Sequence, residues 1–533
     1  MGQVIQRGTT RGSTEAPAMD NDDSAEDSPR HVYAAIVGTG FSGLGMAIRL
    51  KQRGEDDFVV LERANDVGGT WRDNTYPGCA CDIPSHLYSF SFALNPDWSR
   101  AYPSQSEIWA YLRRCAERFG VAPHIRWNTE LLEATWDDAG ACWHLRTSRG
   151  AYTCDVLIVG NGPLSEARLP NIPGIERFAG TTMHTAAWDR DVDLSGKRVA
   201  VIGTGASAIQ LVPQIQPKVA QLYLFQRTPP WVVPRLDHPI PAWQRTLYRL
   251  FPLAQRLPRA RIYWQHELFA LALVYRRGLV ASGARIAGRH LARQVPDPEL
   301  RERLAPHYTM GCKRVLISDD FYPALCQPNV ELVTEAIREV RADRIVTADG
   351  AEREIDALIC ATGFNVTDTD FARRLRGRGG VSLAERWATG PRAYLGTTVA
   401  GFPNLFMMIG PNTGLGHNSM VYMIESQLNY ILDCLRAMRR SDLRAVEVRA
   451  EAQAAFNAEM QRRMRGTVWT SGCASWYLDA GGRNATLWPG FTFEYRRRTR
   501  HFDPQPYDVV VAPAPPQTPA GVAQGAAIKS EHE

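Results

Sequence analysis

"HVYAAIVGTGFSGLGMAIRLKQRGEDDFVVLER", residues 31–63, decides the fold. A β-rich apolar run leads into Gly-x-Gly-x-x-Gly at Gly38, Gly40 and Gly43; a helical stretch follows, and a second apolar run ends at Glu62. Strand, glycine turn, helix and strand in that order predict a βαβ unit with parallel strands. Gly38 is expected to permit the tight turn, Gly40 to let the backbone approach a pyrophosphate, and Gly43 to let helix and strand pack closely. The helix N-terminus, starting with Phe41 and Ser42, then offers free amides to the anion. Glu62, nineteen residues after Gly43, suits the hydroxyls of an adenosine ribose and repels a 2′-phosphate. This first site therefore favours FAD or NAD over NADP.

A second unit opens at "KRVAVIGTGASAIQ", residues 197–210, with Gly203, Gly205 and Ala208 in the same arrangement. Ala206 and Ser207 begin its helix and Gln210 lies one turn further on. Nineteen residues after Ala208 the acid has become an arginine, Arg227. A guanidinium pairs bidentately with phosphate, so this second site reads as NADPH, with Thr228 offering a further donor. Two different dinucleotide sites in one chain imply electron flow between FAD and NADPH.

"DVLIVGNGP" (155–163) and "DALICATGF" (356–364) read as the closing strands of the two nucleotide domains. Between Pro234 and Thr309 the chain is dense in Leu, Arg, Tyr and Trp with little strand character, which predicts a helical insertion. The expected fold is α/β: two Rossmann-like dinucleotide-binding domains, for FAD and NADPH, with that insertion. The organisation follows as a disordered leader (1–30), a first part of the FAD domain (31–165), the NADPH domain (166–235 and 310–355) interrupted by the insertion (236–309), a second part of the FAD domain (356–503) and a flexible tail (504–533).

Bulk numbers narrow the function class. A chain of 533 residues exceeds one core, and a net charge of +5 over that length argues for no nucleic-acid partner. The ten cysteines show no zinc spacing, so no metal site is expected, and their scatter suggests a reducing, cytoplasmic location. The Cys79-x-Cys81 pair reads as incidental, because so short a loop strains a bridge. No segment reaches the length of a membrane-spanning helix. The nearest, "ELFALALVYRRGLVASG" (267–283), is broken by Arg276 and Arg277 and reads as a buried or amphipathic helix, with lateral membrane contact as the alternative. Oligomeric state is not legible.

Between the two glycine units lies "FAGTTMHTAAWDRD", residues 178–191. Phe178, Gly180, His184, Trp188 and Asp189 fill every position of Phe-x-Gly-x-x-x-His-x-x-x-Trp followed by Pro or Asp. With this signature between two ordered glycine units, the chain resembles the class B flavoprotein monooxygenases, and within them the type I Baeyer–Villiger monooxygenases, over about residues 31–503. The signature's place suggests an interdomain hinge in which Gly180 lets the chain turn.

The resemblance implies site residues. "GGTWRDNTYPGCACDIPS" (68–85) resembles the flavin-flanking segment, implying Thr70, Trp71, the active-site Asp82 and nearby Tyr88. "GCKRVLISDD" (311–320) resembles the loop with adjacent Lys313 and Arg314, and "GCASWYLDAGGRNATLWPG" (472–490) the mobile cover whose Trp476 lies over the nicotinamide. "GPNTGLGHNSMVYMIESQ" (410–427) is expected to aim a helix N-terminus at the flavin. The implied activity is oxidation of a ketone to an ester or lactone with NADPH and O₂ through a C4a-peroxyflavin. Arg314 would stabilise negative charge on oxygen, Asp82 would orient it, and Lys313 would join Arg227 at the 2′-phosphate. The alternatives are N- or S-oxygenation on the same scaffold, as in flavin-containing monooxygenases, and a catalytically silent nucleotide-binding redox sensor. Trp188-Asp189 stands where the former generally carry an aromatic such as Phe or Tyr.

Arg227→Ala should weaken NADPH binding by about 1.5–3 kcal/mol and NADH binding far less. Dissociation constants for both coenzymes measure this, and equal losses would reject the 2′-phosphate role.

Overall fold

The computed structural model describes residues 29–366, 370–479 and 481–511. Nearly all of the expected leader and most of the expected tail lie outside them. Strand β1 (Arg30–Val37), helix α1 (Phe41–Lys51) and strand β2 (Phe58–Leu61) follow one another, with Ala34 facing Phe58 and Val37 facing Leu61 in parallel register. Strand β3 (Gly150–Val159) runs parallel along the other edge of β1. With the hairpin Leu131–Asp137 and Cys142–Thr147 and three short strands it completes an eight-stranded sheet. Ala34 and Ile36 face the core that α1 covers, while Ala35 and Val37 face a second core on the opposite side. Burial on both faces is why β1 and β2 read as continuous apolar runs.

The second sheet has five parallel strands: β4 (Thr181–His184), β5 (Arg198–Ile202), β6 (Gln221–Phe225), β7 (Val330–Val333) and β8 (Ala357–Cys360), in the order β7-β6-β5-β8-β4. Helix α2 (Ala206–Ile215) connects β5 to β6. Between β6 and β7 come helices α3 (Ala242–Leu250), α4 (Arg256–Ala270) and α5 (Val280–Gln294). The apolar run 267–283 is not one helix: a π-turn at Leu271–Tyr275 and a break at Arg276 separate α4 from α5. Helix α6 (Met420–Arg440) packs against α1.

Three sequence expectations are corrected. The boundary at 356 cuts through the second sheet, since β8 lies at its interior between β5 and β4 with all four side chains buried. The tail does not begin at 504: Tyr507–Val511 pairs antiparallel with Leu443–Val448. Buried Tyr507 meets the hydroxyls of Tyr430 at 2.7 Å and Thr398 at 3.0 Å. Its β-branched run Val509–Val511 is exposed, so tail composition masked an edge strand.

The third correction concerns the signature. Thr181–His184 is no free hinge; it is the edge strand β4, paired with β8 so that His184 faces Cys360. A Cβ at Gly180 would stand 2.5 Å from the Asp356 carbonyl oxygen and 2.5 Å from the Phe178 ring, so glycine is required there by close packing rather than by turning. His184 is buried, its Nδ1 accepts the Ala186 amide at 3.0 Å, and burial lowers its pKa. Trp188 packs against the second sheet's core, and Asp189 accepts the Asp191 amide at 2.9 Å.

Gly180→Ala should lower the free energy of unfolding by about 1–3 kcal/mol, read from urea denaturation. An unchanged midpoint would show that the Phe178–Asp356 contact is slack.

Candidate active site

Both glycine turns form helix N-termini open to an anion. Gly38 has φ 91°, and a Cβ on Gly43 would lie 1.9 Å from the Gly38 oxygen, a spacing no side chain tolerates. Gly40 would meet only Gly69 Cα at 3.8 Å, and Gly205 nothing within 4 Å. Neither α1 nor α2 has a side-chain N-cap, so their first amides face these clearings. Gly203 has φ 110°, and Ala208, fully buried, stands where the first unit has Gly43.

Glu62 is buried at the end of β2 and already accepts four donors: Thr39 N at 2.9 Å, Thr39 Oγ1 at 2.6 Å, Ala64 N at 2.9 Å and Arg72 Nη1 at 2.9 Å. A ribose hydroxyl placed there would share the carboxylate with Thr39. Thr70 opens a short helix after Gly68 and Gly69, both at positive φ. Trp71 donates from Nε1 to Tyr88 Oη at 3.0 Å, and Phe41 packs edge-on to Tyr88.

The structure brings Asp82 and Arg314 together across the chain: Arg314 Nε donates to Asp82 Oδ2 at 2.8 Å, and Nη2 donates to the same oxygen. Asp82 raises the pKa of the guanidinium further, outweighing burial, so the cation is permanent. Beside it stands Tyr477, buried, its hydroxyl without a hydrogen-bond partner among the described residues. Burial pushes that phenol up to about 12 against the pull of Arg314. Tyr477 escaped the sequence reading; its one signal was its place next to Trp476. Trp476 is 46% exposed and lies over Tyr477 with ring centroids 4.4 Å apart.

Lys313 points elsewhere. Its ammonium sits 5.0 Å over the Tyr308 ring, and its pKa is lowered by burial and by Arg227. Lys313 and Arg227 feel each other's charge, a pairing of cations that a shared phosphate would relieve. Thr228 lends its carbonyl to Thr204 Oγ1 at 3.2 Å. Gln210, expected at the second nucleotide, bonds through its amide to the first unit's loop: Oε1 accepts Tyr76 Oη at 2.9 Å and Nε2 donates to the Ala80 carbonyl at 3.0 Å. Gly78 lets that loop close onto α2, since a Cβ there would be 2.5 Å from the Gln210 oxygen. A cavity of about 370 Å³ lies against this junction, lined by Tyr76, Gly78, Tyr102, Arg235 and Asp237.

Cys79 and Cys81 are free buried thiols, Cys79 pushed up to about 11 by burial, which makes both unreactive. Cysteine scatter misled elsewhere: Cys312 and Cys473 form a disulfide with Cα atoms 6.2 Å apart, tying the Lys313–Arg314 loop to the segment that carries Trp476. Sequence could not reveal it because 161 residues separate the partners. One group of metal-ligand type occurs among the described residues, Asp137, Cys142 and His144 on the outer hairpin, where Asp137 instead caps the turn through Ala139 and Gly140.

Helix α6 begins behind Ser419, whose hydroxyl accepts the Val421 amide at 3.3 Å. The loop before it is held by Glu267, the one acidic residue of the insertion helices α3–α5, buried at 2% exposure. Glu267 accepts Asn418 Nδ2 at 2.6 Å and the Thr492 amide at 3.1 Å, as well as the Thr492 hydroxyl, and lies 3.8 Å from His417. Burial raises its pKa, but the nearby His417 imidazole and the donors from Thr492 and Asn418 outweigh it and hold the carboxyl below its usual value. The signal for Glu267 was its solitude among arginines.

Residues 31–268 match the model of the flavin-binding monooxygenase-like family. A Baeyer-Villiger monooxygenase of Streptomyces coelicolor is 50% identical over 501 residues, covering 94% of this chain and 96% of that protein. The solved cyclohexanone monooxygenase from Rhodococcus sp. Phi1 bound to NADP+ superposes with TM-score 0.80 at 30% identity, over 91% of this chain and all of that one. A solved OTEMO complex with FAD and NADP gives TM-score 0.80 at 28% identity, again over 91% of this chain and all of that one.

A carboxylate whose folded pKa is lowered stabilises the fold above its unfolded value and loses that contribution as pH falls through the folded one. Glu267→Gln should therefore flatten the loss of stability below about pH 4.3, and at neutral pH cost about 1–3 kcal/mol. Urea midpoints across pH measure both; a variant with the wild-type acid limb would remove Glu267 from the anchor.

Proposed function

The chain belongs to the Baeyer–Villiger monooxygenases of the flavin-binding monooxygenase-like family, and from that premise we propose how its own residues serve the reaction. The enzyme uses FAD and NADPH to oxidise a ketone to an ester or lactone. The two clearings at Gly40 and Gly205, each at an uncapped helix start, fit two pyrophosphates. We assign the first to FAD, with Phe41, Ser42, Thr70, Trp71 and Tyr88 around it and Glu62 toward the ribose. The second is assigned to NADPH, with Ala206 and Ser207 at the helix start and Lys313 and Arg227 on the 2′-phosphate. When bound, the flavin supplies activated oxygen after taking hydride from NADPH.

The protein's part is electrostatic. Negative charge builds on oxygen as the ketone carbonyl is attacked, and a permanent, forked cation is the group that stabilises it without a proton transfer. Arg314 is that group, and the observation that carries the reading is its bond to Asp82. One carboxylate oxygen receives both the Nε and Nη2 donors, leaving Nη1 free of that contact. Tyr477, with its unpartnered hydroxyl, stands ready to donate to the same oxygen region. Trp476 and its segment act as the cover that keeps water out. The substrate is a ketone and the co-substrate O₂. A cytoplasmic location belongs to this reading; eight of the ten cysteines are free thiols and two are joined as Cys312–Cys473.

Arg314→Ala should leave flavin reduction by NADPH in place and cut ester formation by roughly 10²–10³-fold. Stopped-flow absorbance and product mass spectrometry on a ketone panel separate the two steps. Undiminished product would eliminate the role, and thioether turnover without any ester would overturn the reaction assignment.

A further inference from the structure

The insertion helices wear their apolar faces outward. Thirteen of the twenty-one exposed large apolar side chains among the described residues fall within residues 236–286. On α3, Trp243, Leu247 and Leu250 recur at helical spacing, 69%, 37% and 68% exposed. On α4, Leu257, Trp264 and Leu268 share one face and are 76%, 57% and 67% exposed, while the carboxylate of Glu267 is buried inward. That inverts the usual arrangement of an amphipathic surface helix.

The patch is continuous with a cationic cavity. Rings run from Trp264 to Phe493 at 6.0 Å, from Phe493 to Phe491 at 5.0 Å and from Phe491 to Tyr275 at 4.9 Å. Phe493 is also in the wall of a cavity of about 570 Å³ whose lining includes Arg53, Arg436, Arg496, Arg497 and Arg500, with Asp433 the one carboxylate. Tyr422 connects the same two places, stacked on Tyr263 of α4 at 4.8 Å and lying under the Arg496 guanidinium at 3.6 Å. Residues 242–293 add ten arginines, no lysine and only the buried Glu267.

Exposed tryptophan, phenylalanine and leucine ringed by arginine complement an anionic bilayer surface, where aromatic bodies enter the headgroup region and cations meet phosphate. A second copy of the chain is a poor occupant, because a self-complementary interface would press these arginines against their own kind. We propose that this face docks the enzyme on a bilayer rich in anionic lipid, the apolar side chains of α3 and α4 entering the interface and the arginine cavity taking a headgroup phosphate. Glu267 then joins the docked helix to the loop ahead of α6.

The test is co-sedimentation of the full-length holoenzyme with vesicles of phosphatidylcholine alone or with about a third phosphatidylglycerol. The protein should pellet with the anionic vesicles only and be released at about 0.5 M salt. Trp264→Ser with Leu268→Ser should weaken partitioning at least about tenfold, and Arg497→Gln or Arg500→Gln about fivefold each. All four substitutions should keep FAD content and NADPH oxidation with a water-soluble ketone, which separates this claim from the assigned reaction. Absence of pelleting with anionic vesicles, or unchanged partitioning in the apolar variant, would overturn it. So would a dimer in light scattering that the apolar variant dissociates, or displacement by roughly 10 mM inorganic phosphate but not by chloride of equal ionic strength.

Discussion

Asp82 and Arg314 lie 232 residues apart, and the proposed site rests on their meeting. One stands on the loop that follows the first glycine unit; the other precedes β7 in the second. Neither sheet can bring its partner to the other by local structure. The pair therefore sets a condition on how the two units sit together, and the contacts around it satisfy that condition with little reliance on the pair itself. A partly exposed ion pair contributes modestly to stability, so its value is positional.

Three stronger links fix the geometry. Gln210 on α2 holds the Tyr76–Ala80 loop with both ends of its amide, and Gly78 removes the Cβ that would keep the loop away. Glu267 pins the insertion to the loop ahead of α6 through buried donors, where leaving any one unpaired is costly. Cys312–Cys473 fastens the arginine's loop to the segment that carries Trp476, directly beside Lys313. Each link takes a residue from one segment of the chain and a receiver from a distant one. The disulfide holds the segment in which Tyr477 is buried beside Arg314 while its neighbour Trp476 stays half in solvent.

Legibility in the sequence followed locality. The glycine turns were readable because each residue's demand is met within a few positions: Gly43 is forced by Gly38, five residues away. The change from Glu62 to Arg227 at equal spacing was readable for the same reason. Gln210's position on the helix pointed to a nucleotide; its hydrogen bonds to Tyr76 and Ala80 come from the other unit and could not be read from that position. Gly180 was read as a turn, yet Asp356 forbids its side chain from 176 residues down the chain. Tyr507 looked like tail because its burial depends on Tyr430 and Thr398.

The sequence by itself determined the α/β class and the two glycine-turn units, because strand, turn and helix period are short-range properties of backbone sterics and hydrophobic spacing. It also singled out Arg314 and Asp82, though only through likeness of motif. The tertiary structure alone decided that those two touch, that β8 belongs to the second sheet, that Cys312 finds Cys473, and that the insertion turns its tryptophans and leucines outward. Those outcomes depend on which distant surfaces are already covered when a segment packs. Hydrophobic pattern states that a face is apolar; only the assembled fold shows whether protein buries it.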